Sequence, residues 1–441
     1  MESALGSELE VTAVGGSMVT TGLSHFSEKQ YLGLRQLLRD ADIAFTNIEG
    51  MIHDCEGYAL RPWKLGTSHI APPSAAKELK WMGFNLATIA NNHSMDFSEA
   101  SLWAMFQALD SAGLAYAGMG QNLAEATRPT YLETKKGRVA LVALSTAPSE
   151  SLFSMAGYAA PGVRSRPGMN GLRFSTTYVV DSGTMEELKR ILSLLNVTTA
   201  DQDTSEIPLT AKIDDDELLF LGKKFKLGDQ PGVYSEANKV DVDRNLREIR
   251  GATKQADWTL VAFHCHENAS DNFDMPPPFA RKFTQDCIDA GADTVICDGH
   301  HPGRGIELYK GKPIFHGLGT FIMQTSMLEM VPADNFEKYG LDPTTATLAD
   351  YNDARQRLWE FISDPWNYRG VLARFIIGDG KLKELKLYPT DPHTEWPRWR
   401  SGRPMLAEGE VGREIISRFQ KLSAHFGTRI DIENGIGIVQ L

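Results

Sequence analysis

Apolar and polar positions along this chain change period repeatedly, and the changes alternate between strand-like and helix-like. "ELEVTAVGGSMVTTGL" sets Val11, Ala13 and Val14 in a short apolar run that ends on Gly15-Gly16-Ser17, which predicts a first strand delivering a loop. "ADIAFTNIEG" reads as a strand ending at Asn47-Ile48-Glu49, and "SAAKELKWMG" as a helix stopped by Gly83. "FNLATIANNHSMD" is a strand opening into a polar loop, "SEASLWAMFQALDSAG" a helix stopped by Gly113, and "RVALVALST" another strand.

The second half repeats the alternation. "DWTLVAFHCHEN" runs from strand into a histidine-rich loop, and "PPFARKFTQDCIDAG" is a helix that starts after prolines and stops at Gly291. "ADTVICDGHH" and "KPIFHGLGTFI" are two further strand-to-loop units. The pattern predicts an α/β domain with buried central strands, spanning about residues 8–390. Residues 197–240 are polar and charged without helical period, and are expected to form an insertion or lid. From 391 to 441 a C-terminal extension carries "EWPRWRSGRP" and an amphipathic helix, "EIISRFQKLSAHF".

Composition narrows the function classes. With 42% apolar residues in 441, a large core can be buried, and a net charge of −12 argues against a nucleic-acid partner. The four cysteines show no CxxC pair and read as reduced residues of a cytoplasmic protein. "MESALGSELEV" lacks the basic and apolar regions of a signal peptide, and no run approaches the ~18 apolar residues of a membrane span, so no membrane partner is expected. The pattern does not assign an oligomeric state.

The candidate chemistry is histidine-based. Of eleven histidines, five fall at predicted strand ends: His93, His264, His266, His300 and His301. Glu49 ends another strand. A single histidine there would be an ordinary core or capping residue. Five on three loops, with an amide and a carboxylate, suit a transition-metal or mixed-ligand site.

"NIEG", "GFNLATIANNHSMD", "HCHEN" and "GADTVICDGHHPGRGIELYKGKPIFHGLGTF" resemble, in order and spacing over about residues 8–330, the motifs of the CapA (poly-γ-glutamate capsule synthesis) family. The resemblance implies a calcineurin-like metallophosphoesterase fold: a sandwich of two β-sheets flanked by helices, with the site on loops at one edge. It makes Glu49, Asn92, His264 and one of the His300/His301 pair, taken as His300, candidate ligands of one divalent ion (Ca, Mn or Zn). It also makes His93 the histidine acting on substrate. Asp96 is then its orienting partner, or else a helix N-cap.

The departures from the family pattern bear on the reaction. Gly16 stands where the first motif carries a metal-binding aspartate, and Thr320 replaces the asparagine of "LGNF". A dinuclear phosphoesterase clamps attacking and leaving oxygens with two ions, so losing that acid disfavours phosphate ester hydrolysis. The glycine pair is expected to ease a backbone bend, and Gly16→Asp to tighten metal binding. Proton transfer at carbon suits a one-ion site with surplus histidines, because inverting a stereocentre takes a base on one face and an acid on the other. The chain is similar to the CapA-like peptide epimerases of lasso-peptide biosynthesis, which implies a precursor-peptide substrate inverted at its C-terminal residue, a tryptophan. His93 with Asp96 would be one acid–base pair; Asp298 with a histidine of the His264, His266, His300 and His301 group would be the second, with His266 and His301 as candidates to act on substrate. Arg304 is a candidate for holding a substrate carboxylate. The alternatives are a metallophosphoesterase, a CapA-type polyglutamate enzyme, or a binding protein on a decayed scaffold.

Overall fold

A computed structural model describes residues 8–60, 68–147, 149–196, 214–270, 272–358 and 364–441. Two mixed sheets stack face to face, with helices on both outer faces. In the first sheet, Leu9–Met18, Ile43–Ile48, Leu86–Thr88 and Ala115–Ala117 run parallel, and Gly370–Gly378 and Lys381–Asp391 continue it antiparallel. The second sheet places Arg138–Ala147, Trp258–Cys265, Thr294–Gly299 and Lys312–Phe315 side by side in parallel.

Side-chain alternation decides which residues enter which layer. Leu9, Val11, Ala13, Ile43, Phe45 and Leu86 of the first sheet meet Val139, Leu141, Ala143, Leu260, Ala262 and Ile296 of the second in one apolar layer. The opposite parity, Val261, Phe263, Cys265, Val295 and Cys297, packs against Lys239–Ala252 and Pro278–Asp289. On the first sheet's outer face lie Lys29–Asp40, Ser74–Met82 and Glu99–Ala112. Each fully buried Val, Leu, Ile or Phe side chain in these layers contributes about 1.5–3 kcal/mol. Gly113 ends the Glu99–Ala112 helix in the left-handed region at φ 64°, as the helix-stop reading requires.

Residues 214–240 of the anticipated insertion form strands: Glu217–Phe220 and Lys223–Leu227 pair with each other, and Lys223–Leu227 and Gly232–Ala237 both pair with Gly171–Val180. Residues 197–213 lie outside the described residues. Beyond residue 391, the helix Gly409–Ala424 sends Ile415, Ile416 and Phe419 into the inter-sheet core, and Ile436–Val439 pairs with Lys381–Asp391. "EWPRWRSGRP" is pinned to the domain: Arg403 is buried, bonds Glu28 through both terminal nitrogens and covers the Phe26 ring at 3.5 Å. Among the described residues no helix is long and apolar enough to cross a membrane.

Candidate metal and acid–base site

The inward parity that fills the core also builds the site. Along Trp258–Cys265 the inward positions are Trp258, Leu260, Ala262 and then His264; along Thr294–Gly299, Ile296 is followed by Asp298; along Ile43–Ile48, Phe45 is followed by Asn47. The layer therefore turns from apolar to polar at the carboxyl ends of adjacent strands. Register places His264 directly opposite Asp298, and His264 Nδ1 lies 2.9 Å from Asp298 Oδ1. With that proton donated to the carboxylate, the lone pair at Nε2 faces Asn92 Oδ1 at 3.0 Å. Two acceptors aimed at one point need a shared proton or a cation between them. Burial opposes charge on His264, but Asp298 and Glu49 hold its pKa above the usual imidazole value.

Glu49 follows the Ile43–Ile48 strand and is buried, its N–H bonded to the Ser17 carbonyl at 3.2 Å. Its Oε1 has no hydrogen-bond partner among the described residues, and neither has the buried Nε2 of His266, 4.0 Å away. Ligand atoms of Glu49, His264 and His266 all lie within 4.8 Å of one another. Burial raises the Glu49 pKa, and burial with the neighbouring imidazoles pushes that of His266 well down. Two orphaned donor atoms of the right kinds, beside a histidine oriented by a carboxylate, fit one divalent cation held by Glu49, His264, His266 and the Asn92 amide oxygen. His266, which the sequence suggested as acting on substrate, is thus grouped with the ion's donors. His300 stands outside this group: its Nδ1 donates to the Pro302 carbonyl at 2.8 Å and its ring lies 4.3 Å from that of Phe273.

The "ANNHSMD" turn holds His93 beside these donors. Asn91 donates to Asn47 Oδ1 at 2.9 Å and to the Ile48 carbonyl at 2.8 Å, and its own Oδ1 accepts the His93 N–H at 3.0 Å. His93 Nδ1 is 2.5 Å from Asp96 Oδ2, which also accepts the His69 N–H at 3.2 Å. Asp96 is not the N-cap of Glu99–Ala112; Ser98 takes that position. Asp298 is committed to His264, so it does not serve His266, His300 or His301. His301 has its Nδ1 3.0 Å from Thr320 Oγ1, and its ring centroid is 5.7 Å from that of His266.

Two further residues matter. Arg304 is neither a surface arginine nor open to solvent: it is 1% exposed and donates to the Glu267 carbonyl at 2.8 Å, clamping the turn that carries His266. His69, unmarked in the sequence, is buried with both ring nitrogens unpartnered among the described residues and its ring 6.5 Å from that of His93. Burial, with the nearby His93, pushes its pKa down to about 3. A histidine before the two-residue strand Ile70–Ala71 leaves no local signature that could have revealed it.

Neither Gly15 nor Gly16 is in the left-handed region, so a bend does not explain them. Close approach does. A Cβ at Gly15 would lie 1.9 Å from the Gly319 carbonyl oxygen, and one at Gly16 would lie 2.3 Å from Glu49 Oε2.

The model of the family described as "Bacterial capsule synthesis protein PGA_cap" matches residues 10–325, a span that holds all of these side chains. Uncharacterized proteins y4uA and y4sH of Sinorhizobium fredii (strain NBRC 101917 / NGR234) are each 33% identical over 442 residues, covering 98% of this chain and 93% of the relative. Capsule biosynthesis protein CapA of Bacillus anthracis is 22% identical over 292 residues, 65% of this chain and 51% of its own. A hypothetical protein from Thermus thermophilus, of solved structure, covers 87% of this chain and 99% of its own at 13% identity and a TM-score of 0.38, too loose a likeness to add to the fold.

Proposed function

Because the chain belongs to the bacterial capsule synthesis protein family PGA_cap, we propose that it uses that family's sandwich for metal-assisted proton transfer at carbon, as a peptide epimerase acting on the C-terminal residue of a ribosomally made precursor. The observation that carries this reading is the pairing of two imidazoles, His93 and His301, each held at Nδ1 by its own partner, Asp96 and Thr320, around the Glu49–His264–His266 donors.

Inverting Cα breaks its C–H bond on one face and forms a C–H bond on the other. One imidazole takes the proton, and the other, protonated, returns one to the opposite face. A divalent ion bound by Glu49, His264, His266 and Asn92 would supply positive charge for the carbonyl or carboxylate oxygen on which charge develops. Asp96 and Thr320 orient the two rings, and Asp298 keeps the lone pair of His264 at Nε2. Gly16 argues against a second ion, since no side chain can enter there without displacing Glu49. Incubating the chain with a neighbouring precursor peptide in D₂O should label Cα and yield the D-residue; absence of both overturns the proposal.

A CapA-type enzyme acting on polyglutamate is the second reading, supported by the 22% identity to the Bacillus anthracis protein. Turnover of poly-γ-glutamate, lost in His264→Ala, with no deuterium at any Cα, would select it instead.

A further inference from the structure

We propose that Thr320 is a positioning residue that holds His301 in its Nδ1–H tautomer, making Nε2 the basic atom of that ring. The inference rests on the acid–base reading above and adds to it the group that readies the second imidazole.

The argument is one of hydrogen-bond valence. Among the described residues Thr320 Oγ1 has two hydrogen-bond neighbours: the Asn367 carbonyl oxygen at 3.0 Å and His301 Nδ1 at 3.0 Å. A carbonyl oxygen only accepts, so the single hydroxyl proton goes to Asn367. Toward His301 the hydroxyl then presents lone pairs, and Nδ1 must carry the hydrogen. The other tautomer would set two acceptors against each other, or turn the hydroxyl away and strip the buried Asn367 carbonyl of this donor. Either outcome forfeits one hydrogen bond and disfavours that tautomer by roughly two- to tenfold.

Thr320 is well fixed for this task. It is 3% exposed and begins the Thr320–Met323 strand, where register sets it against Gly16. Asn367 closes the short turn Pro365–Asn367 and is itself buried, so both ends of the relay sit on backbone that packing defines. The two imidazoles are thereby gripped through the same ring atom by chemically different partners, a carboxylate for His93 and a committed hydroxyl for His301. The departure from the family's asparagine at this position thus acquires a role: a threonine hydroxyl has one proton to give, and its direction is set.

The test uses the full chain labelled with ¹⁵N-histidine, reading ring tautomers from long-range ¹H–¹⁵N correlations, with the His301 signals identified by their loss in His301→Gln. The wild type and Thr320→Ser should show Nδ1–H. Thr320→Val, which keeps the volume and loses the hydroxyl, should show a mixture or the Nε2–H form; Thr320→Ala gives the same readout should the valine variant not fold. Exchange of the substrate α-hydrogen should fall roughly 10–100-fold in kcat with KM little changed, and Thr320→Ser should restore it. An unaltered Nδ1–H form in Thr320→Val, or the Nε2–H form in the wild type, overturns the inference. A tautomer shift in a chain that exchanges no α-hydrogen in any variant supports it and overturns the epimerase reading instead.

Discussion

Glu49 occupies the space that a side chain at Gly16 would fill: its Oε2 lies 2.3 Å from the position of a Cβ built on that glycine. The carboxylate of one strand end thus closes over the bare backbone of its neighbour, and Glu49 Oε1 is left facing His266 Nε2. Strand register enforces the arrangement, because Gly16 pairs with Asn47, two residues before Glu49.

This relationship reverses the expectation that an added acid at position 16 tightens metal binding. Gly16→Asp and Gly16→Ala should both push Glu49 aside and weaken binding of Mn²⁺ or Zn²⁺, roughly 10–100-fold. Calorimetric titration of the metal-free chain checks it, and equal or tighter binding by Gly16→Asp would contradict the close approach described.

Metal loading should stabilise the fold, since a ligand bound only by the native state adds about 2.7 kcal/mol at a hundred times its dissociation constant. Thermal unfolding after dialysis against a chelator should give a lower Tm than after adding back Mn²⁺ or Zn²⁺. His266→Ala should remove most of that difference. His300→Ala should retain it, because His300 stands outside the donor group.

Asp96 should matter for rate more than for folding. Asp96→Asn keeps an oxygen for the His69 N–H but loses the carboxylate beside His93 Nδ1. The expected result is a kcat for α-hydrogen exchange lower by about 10²–10⁴, with a Tm close to wild type. Equal exchange rates in the two proteins would remove His93 from the acid–base role.

The Glu28–Arg403 pair predicts a pH dependence. Its hydrogen bond to Arg403 holds the Glu28 carboxyl down at about 2 from an ordinary value of 4.5. A depressed folded-state pKa contributes stability that is fully present above the unfolded value and is lost as pH falls through the folded one. Urea unfolding should therefore show the wild type losing its advantage over Glu28→Gln between about pH 4.5 and pH 2, from about 2 kcal/mol at neutral pH once solvent screening of this partly exposed pair is allowed for. A constant difference across that range would show that ionisation of Glu28 adds nothing to stability.

Much of the architecture was legible because its signal is local. The short apolar runs at residues 9–14, 43–48 and 258–265 announced strands, and the glycines at 83, 113 and 291 marked helix ends. The His93–Asp96 pairing was one of two readings of Asp96, suggested by the family resemblance beside a helix N-cap, and the short turn between the two residues brings them together. The strands at 217–237, by contrast, lie in a polar stretch whose period gave no sign of them; pairing with Gly171–Val180 stabilises them.

What the sequence by itself determined is a layered α/β chain with a histidine-rich edge at its strand ends, because side-chain period and turn chemistry act over a few residues. Only the tertiary structure decided which side chain answers which: Asp298 belongs to His264, Thr320 to His301, and Glu49 lies over Gly16. Those partners are 34, 19 and 33 residues apart, and cross-strand register and backbone approach set their distances, quantities that no local pattern encodes.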